Sequence, residues 1–187
     1  MNFELFHTDD IRVEYCDGTR RDIQRVLDAC REERRPYLIT TPLTSNLSPL
    51  TSILVPVSML EEEVYKAEIC TYLARKTGAH LILLRARDYG SKAKQNTQRI
   101  ITHIQTIAER TGEEISYEVQ EAKRDSFSFH KDFHSTEWKY DLLLLTASRE
   151  YGLDDWLFGP PELYAIRHSQ VPVMLVNPRE DLFSLCD

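Results

Sequence analysis

Two stretches of this chain carry side chains at spacings that could do chemistry. The first is the loop 146–161, which follows the apolar run 142–145 and leads through Gly159, Pro160 and Pro161 into a short helix and a second apolar run, 173–176. A buried strand, a loop, a helix and another buried strand form a βαβ unit, and such sheets bind ligands beyond the strand's carboxyl end. Thr146, Ser148 and Arg149 could meet a phosphate through side chains, since guanidinium forks suit that anion. The helix start argues the other way. Pro160 and Pro161 have no N–H to donate, although proline fits a first helical turn. Glu162 adds a carboxylate there, which suits the helix dipole and repels a phosphate. Asp154 and Asp155 read as solvated turn carboxylates, and Trp156, Leu157 and Phe158 as an apolar plug packing the loop onto the sheet.

The second stretch holds His130 and His134, whose i, i+4 spacing would place both on one helix face, where they could bind zinc. Lys131 stands where the metalloprotease motif needs its general-base glutamate, and no third ligand is evident beyond the neighbouring Asp132. Surface histidines on an amphipathic segment are the expectation, with no metal. No serine sits in a GxSxG elbow, no cysteine has an evident histidine partner, and no Walker-type loop is present. The chain reads as a non-enzyme.

Composition sets the outer bounds. The 187 residues suit one α/β domain with an appendage. A formal net charge of −7 argues against nucleic acid as a partner, because phosphate binding needs clustered Lys and Arg. The short apolar runs predict no membrane insertion, and the acidic start MNFELFHTDD lacks the layout of a secretory signal. Cys16, Cys30, Cys70 and Cys186 show no metal spacing, and Cys30 and Cys70 fall on predicted apolar helix faces. Reduced structural thiols in a cytoplasmic protein are the expectation.

The elements follow from periodicity. Residues 11–15 alternate like a strand, Thr19 can cap a helix to about Glu33, and 37–41 form another strand. Residues 42–49 read as a linker. A longer alternation then runs through a strand at 53–57, a helix at 61–76 ended by Gly78, and a strand at 80–86. It continues with a helix at 96–111 ended by Gly112, a strand at 115–119, and a helix or compact aromatic loop at 124–138 with Phe127, Phe129, Phe133 and Trp138. The spacing predicts an open parallel five-stranded sheet with helices on both faces, over residues 51–187. Residues 1–50 are an N-terminal β-α-β appendage. A faint echo aligns Arg20-Arg21-Asp22, a helix and the Tyr37 strand with Lys123-Arg124-Asp125, a helical stretch and the Asp141 strand. On that reading residues 1–43 are a truncated second copy.

From residue 52 onward the order of elements resembles the universal stress protein family. SILVPVS at 52–58, GAHLILLRAR at 78–87 and the stretch 141–178 carry the likeness. The resemblance implies a Rossmann-like fold and a nucleotide site at positions matching Pro56, Val57, Ser58, Ala86, Thr146, Ala147, Ser148, Arg149, Gly159 and Pro160. The family's ATP-binding pattern has glycines at the first and fourth loop positions, a Gly-Ser or Gly-Thr pair at its end, and an aspartate after the first strand. Thr146 and Arg149 replace the early glycines, Gly159-Pro160 replaces the pair, and Ser58 stands at the aspartate. Glycines let the backbone approach phosphate oxygens closely, and the side chains here obstruct that approach. The resemblance therefore implies the branch without ATP, acting as a stress-response or regulatory interaction module. ATP or AMP binding with an atypical loop is the alternative, as is a regulatory domain related to cation transporters. The resemblance also implies a homodimer through the final strand, 171–177, where Val171, Val173, Leu175 and Asn177 alternate with Met174 and Val176 as an uncharged edge.

Overall fold

A computed structural model of the chain describes residues 11–33, 35–44, 49–134, 139–147 and 160–177. Seven strands form one sheet: β1 (Arg12–Tyr15), β2 (Tyr37–Thr40), β3 (Ser52–Val57), β4 (His80–Arg85), β5 (Tyr117–Glu121), β6 (Leu142–Thr146) and β7 (Val173–Val176). Among the described residues four α-helices accompany them: α1 (Arg20–Glu32), α2 (Lys66–Thr77), α3 (Lys92–Thr111) and α4 (Pro161–His168). The spatial order is β1-β2-β7-β6-β3-β4-β5, parallel throughout except where β2 meets β7.

Each helix begins or ends for a local reason. At the start of α1 the Thr19 hydroxyl accepts from the Asp22 N–H, and the Asp22 carboxylate accepts from the Asp17 N–H at 2.9 Å. Its buried stripe is Ile23, Val26, Leu27 and Cys30. Gly78 and Gly112 close α2 and α3 at φ of 71°, a left-handed angle that glycine adopts without strain. Strand alternation divides the core in two. Ile53, Val55 and Val57 pack with α2 and α3 on one face, while Leu54 and Leu143 pack with α1 and α4 on the other.

The sheet has seven strands where the sequence predicted five. Residues 12–40 account for the difference, because β1 and β2 extend the main sheet. Segment edges also moved: α3 starts at Lys92, β5 lies at Tyr117–Glu121, and α2 is preceded by a 3₁₀ turn at Glu61–Tyr65. Residues 124–134 form a compact turn with a 3₁₀ segment at Phe129–Lys131. Phe129 and Phe133 are buried in it, edge to face at 5.0 Å, while Phe127 is exposed.

The expected free edge at residues 171–177 is not there. Leu38 sits opposite Met174 in an antiparallel ladder that runs from Tyr37↔Leu175 to Ile39↔Val173, so β7 is hydrogen-bonded on both sides. A homodimer through that strand would have to displace β2. The β1-α1-β2 and β6-α4-β7 units run antiparallel to each other, with α1 and α4 in contact on one face. That placement has the sense of a two-fold axis between β2 and β7. It matches β2 with β7, whereas the echo in the sequence matched β2 with β6.

Asn177 secures the junction. Its side-chain amide donates to the Cys30 carbonyl at 2.8 Å and the Glu33 carbonyl at 2.7 Å, satisfying the last turn of α1 from the far end of the chain. The residue is buried. Asn177→Ala leaves those carbonyls without this donor. It is expected to lower unfolding stability by about 1–3 kcal/mol, read as a shifted urea midpoint with unchanged slope.

Candidate functional site

In an open parallel sheet the ligand crevice lies at the carboxyl ends of the strands where the winding reverses, here between β3 and β6. Pro56, Val57 and Ser58 end β3 and are buried. Ala86 follows β4, its N–H donating to the Val57 carbonyl at 2.9 Å. Thr146 ends β6, and the Ala147 N–H donates to the Val176 carbonyl at 2.9 Å. Pro160 sits at the N-cap of α4. The structure thus brings Pro56, Val57, Ser58, Ala86, Thr146, Ala147 and Pro160 to one end of the sheet. Ser148, Arg149 and Gly159 lie outside the described residues, as do the plug residues Trp156, Leu157 and Phe158.

The crevice floor is built by residues the sequence reading passed over. Lys66, 1% exposed, opens α2 and turns its ammonium inward to the Glu63 carboxylate and the Pro56 carbonyl. Glu63 is buried too. It accepts from the Ser58 hydroxyl at 2.5 Å and the Thr146 hydroxyl at 3.4 Å. The Asn96 amide on α3 donates to the carbonyls of Ser58, at 3.0 Å, and Leu60, at 2.7 Å. Ser58, at the family's aspartate position, is therefore occupied with holding Glu63. One signal was available: Lys66 heads the i, i+3, i+4, i+7 stripe that continues as Ile69, Cys70 and Leu73, so a lysine occupied a core position.

Among the described residues the crevice holds a cavity of about 90 Å³, lined in part by Ser58, Glu63, Lys66, Phe129, His130 and Thr146. The Lys66–Glu63 pair neutralises itself within it. Taking away one member of a buried pair leaves the other charge unmatched, at a cost of roughly 3–5 kcal/mol. Lys66→Met is expected to lose about that much stability, and adding Glu63→Gln should recover part of it, both read from chemical denaturation.

Beside the cavity, His130, His134 and His168 surround Tyr164. Ring centroids stand 5.2 Å apart for His130–Tyr164, 4.2 Å for Tyr164–His168 and 6.2 Å for His134–His168. His130 belongs to the 3₁₀ segment and His134 lies beyond it, so the expected shared helix face does not form. Among the described residues no group of three His, Cys, Asp or Glu side chains could hold a metal ion. Burial lowers the affinity of both imidazoles for protons, aided by Lys131 and Arg124 at His130 and by His168 and His130 at His134. A group whose folded-state pKa is depressed gives stability that is complete above its ordinary value and lost as pH falls. Melting temperature should therefore drop as pH falls below about 6.5. His130→Phe combined with His134→Phe should flatten that slope.

The thiols of Cys16, Cys30 and Cys70 are buried and free, and burial pushes each up to about 12, which suits packing rather than reactivity. Cys186 lies outside the described residues. No helix among the described residues is long and apolar enough to cross a membrane.

No protein-family model matches the sequence, and no curated protein matches it. Solved structures do match its fold. A universal stress protein from Archaeoglobus fulgidus DSM 4304 aligns over 96% of this chain and 64% of its own, with TM-score 0.62 and 14% identity. A putative universal stress protein from Pseudomonas aeruginosa UCBPP-PA14 aligns over 90% and 63%, with TM-score 0.53 and 14% identity. A universal stress protein solved in complex with cAMP aligns over 71% of this chain and all of its own, with TM-score 0.54 and 17% identity. The chain spans somewhat under two thirds of the first two proteins. Its fold is that of the universal stress proteins.

Proposed function

We propose that this chain is a non-catalytic, universal stress protein-like module that acts through protein contacts in stress or regulatory physiology, without ATP held in the family's usual manner. The observation that supports this reading is the narrow crevice. Among the described residues the Lys66–Glu63 pair and its partners Ser58 and Thr146 crowd the space a ligand would enter, leaving about 90 Å³. Small-molecule sites usually offer roughly 300–1,000 Å³. Two prolines at the start of α4, Pro160 and Pro161, withhold N–H groups that an anion would use. A cytoplasmic setting fits the free buried thiols.

Adenine nucleotides are the second reading, favoured by the cAMP complex of a neighbour with this fold. Thermal unfolding in millimolar ATP with magnesium, AMP or cAMP separates the two. A ligand present at ~100 times its dissociation constant adds about 2.7 kcal/mol of stability. No change in melting temperature with any of the three is the expected result. A shift of several degrees with one of them transfers the protein to the nucleotide binders.

A further inference from the structure

We propose that the open edge of β1 is a docking surface for a second copy of this chain, which adds its own β1 as an antiparallel strand. Among the described residues nothing lies beyond β1 in the sheet. The N–H groups of Arg12 and Cys16 donate to β2-side carbonyls, at Pro36 and Thr40, 2.9 and 2.8 Å away. Even-numbered residues thus spend their backbone groups on β2, and strand geometry turns those of Val13 and Tyr15 outward.

That phase limits how two copies can pair. An antiparallel partner must place outward residues opposite outward residues. Centred on Val13, the register sets Val13 against Val13, Arg12 against Glu14 of the second copy, and Glu14 against its Arg12. Shifting the centre by one residue sets Glu14 against Glu14 or Arg12 against Arg12, and like charges directly opposite are destabilising. Of these three registers, only the one centred on Val13 sets opposite charges against each other. The Arg12–Glu14 pairs fall at the non-hydrogen-bonded positions, where cross-strand side chains come closest. Within one chain the Arg12 guanidinium already reaches Glu14 at 2.6 Å and Glu33 at 2.5 Å. The second copy extends an ordered charge ladder. The other edge strand, β5, carries Glu118 and Glu121 with no cation of its own.

The adjoining face points the same way. Val13 pairs in register with Leu38, so it faces the side of the sheet covered elsewhere by α2 and α3, while α1 and α4 lie on the opposite side. Val13 is 36% and Tyr15 63% exposed there. In the pair, Tyr15 lies opposite Ile11 of the second copy, covering apolar surface on that face.

Sedimentation and light scattering on the full chain test this. The expected mass at several hundred micromolar is twice 21.9 kDa. Val13→Pro removes an N–H that β2 does not use, so it should give a monomer with an unchanged melting curve. Arg12→Glu and Glu14→Arg should each be monomeric alone, and an equimolar mixture should reassociate, since each then offers the opposite sign to the other. A wild-type protein that stays at 21.9 kDa overturns the proposal. So does a dimer that persists in Val13→Pro, or folded charge variants that fail to reassociate when mixed.

Discussion

An ammonium group taken out of water has to be matched where it stands, and Lys66 imposes that demand at the centre of this molecule. Its partners come from different elements. Glu63 approaches from the 3₁₀ turn and Pro56 from β3, while Ser58 and Thr146 orient the Glu63 carboxylate from the ends of β3 and β6. Asn96 then ties the same turn to α3. One buried charge therefore fixes the relative positions of two strands, a turn and two helices. The same network lines the place where a doubly wound sheet would receive a ligand, so among the described residues one set of contacts both ties these elements together and narrows the crevice between β3 and β6.

The second organising contact is the antiparallel pairing of β2 with β7. It turns an α/β sheet of a familiar winding into one with a local two-fold relation between its first and last β-α-β units. The bulk of the core on the α1–α4 face comes from that relation. Ile23, Val26 and Leu27 of α1 share a cluster with Leu163 and Ile166 of α4, over Tyr37 and Ile39 of β2 and Val173 and Leu175 of β7. Residues 12–40 contribute a continuous part of the interior rather than a loose extension.

Local pattern revealed most of the elements. Continuous apolar runs marked β3, β4, β6 and β7 because parallel strands are covered on both faces. Glycines marked the ends of α2 and α3. The placement of β2 was not legible, because a four-residue strand carries no information about which edge it joins. Its partner is chosen by the helix α1 seating on α4 and by Asn177 reaching Cys30 and Glu33. Ser58 and Thr146, named from the resemblance to stress proteins, stand at the carboxyl ends of β3 and β6. The lysine that narrows the crevice between them was hidden inside an otherwise ordinary helical stripe, since charge at a core position reads as an interruption until its counter-ion is seen. The compact turn at 124–134 was half legible: its aromatic residues signalled packing, but Phe127 points to water.

The pairing of β2 with β7 has a temporal consequence. A ribosome releases the chain from its amino end, so β2 leaves the exit tunnel long before the segment that covers its second side has been made. Contacts between residues so far apart in sequence form slowly, because a long intervening chain must first be ordered. Until then a nascent polypeptide displays a bare, apolar strand to its surroundings, the kind of surface that chaperones shield and that misassembles at high expression.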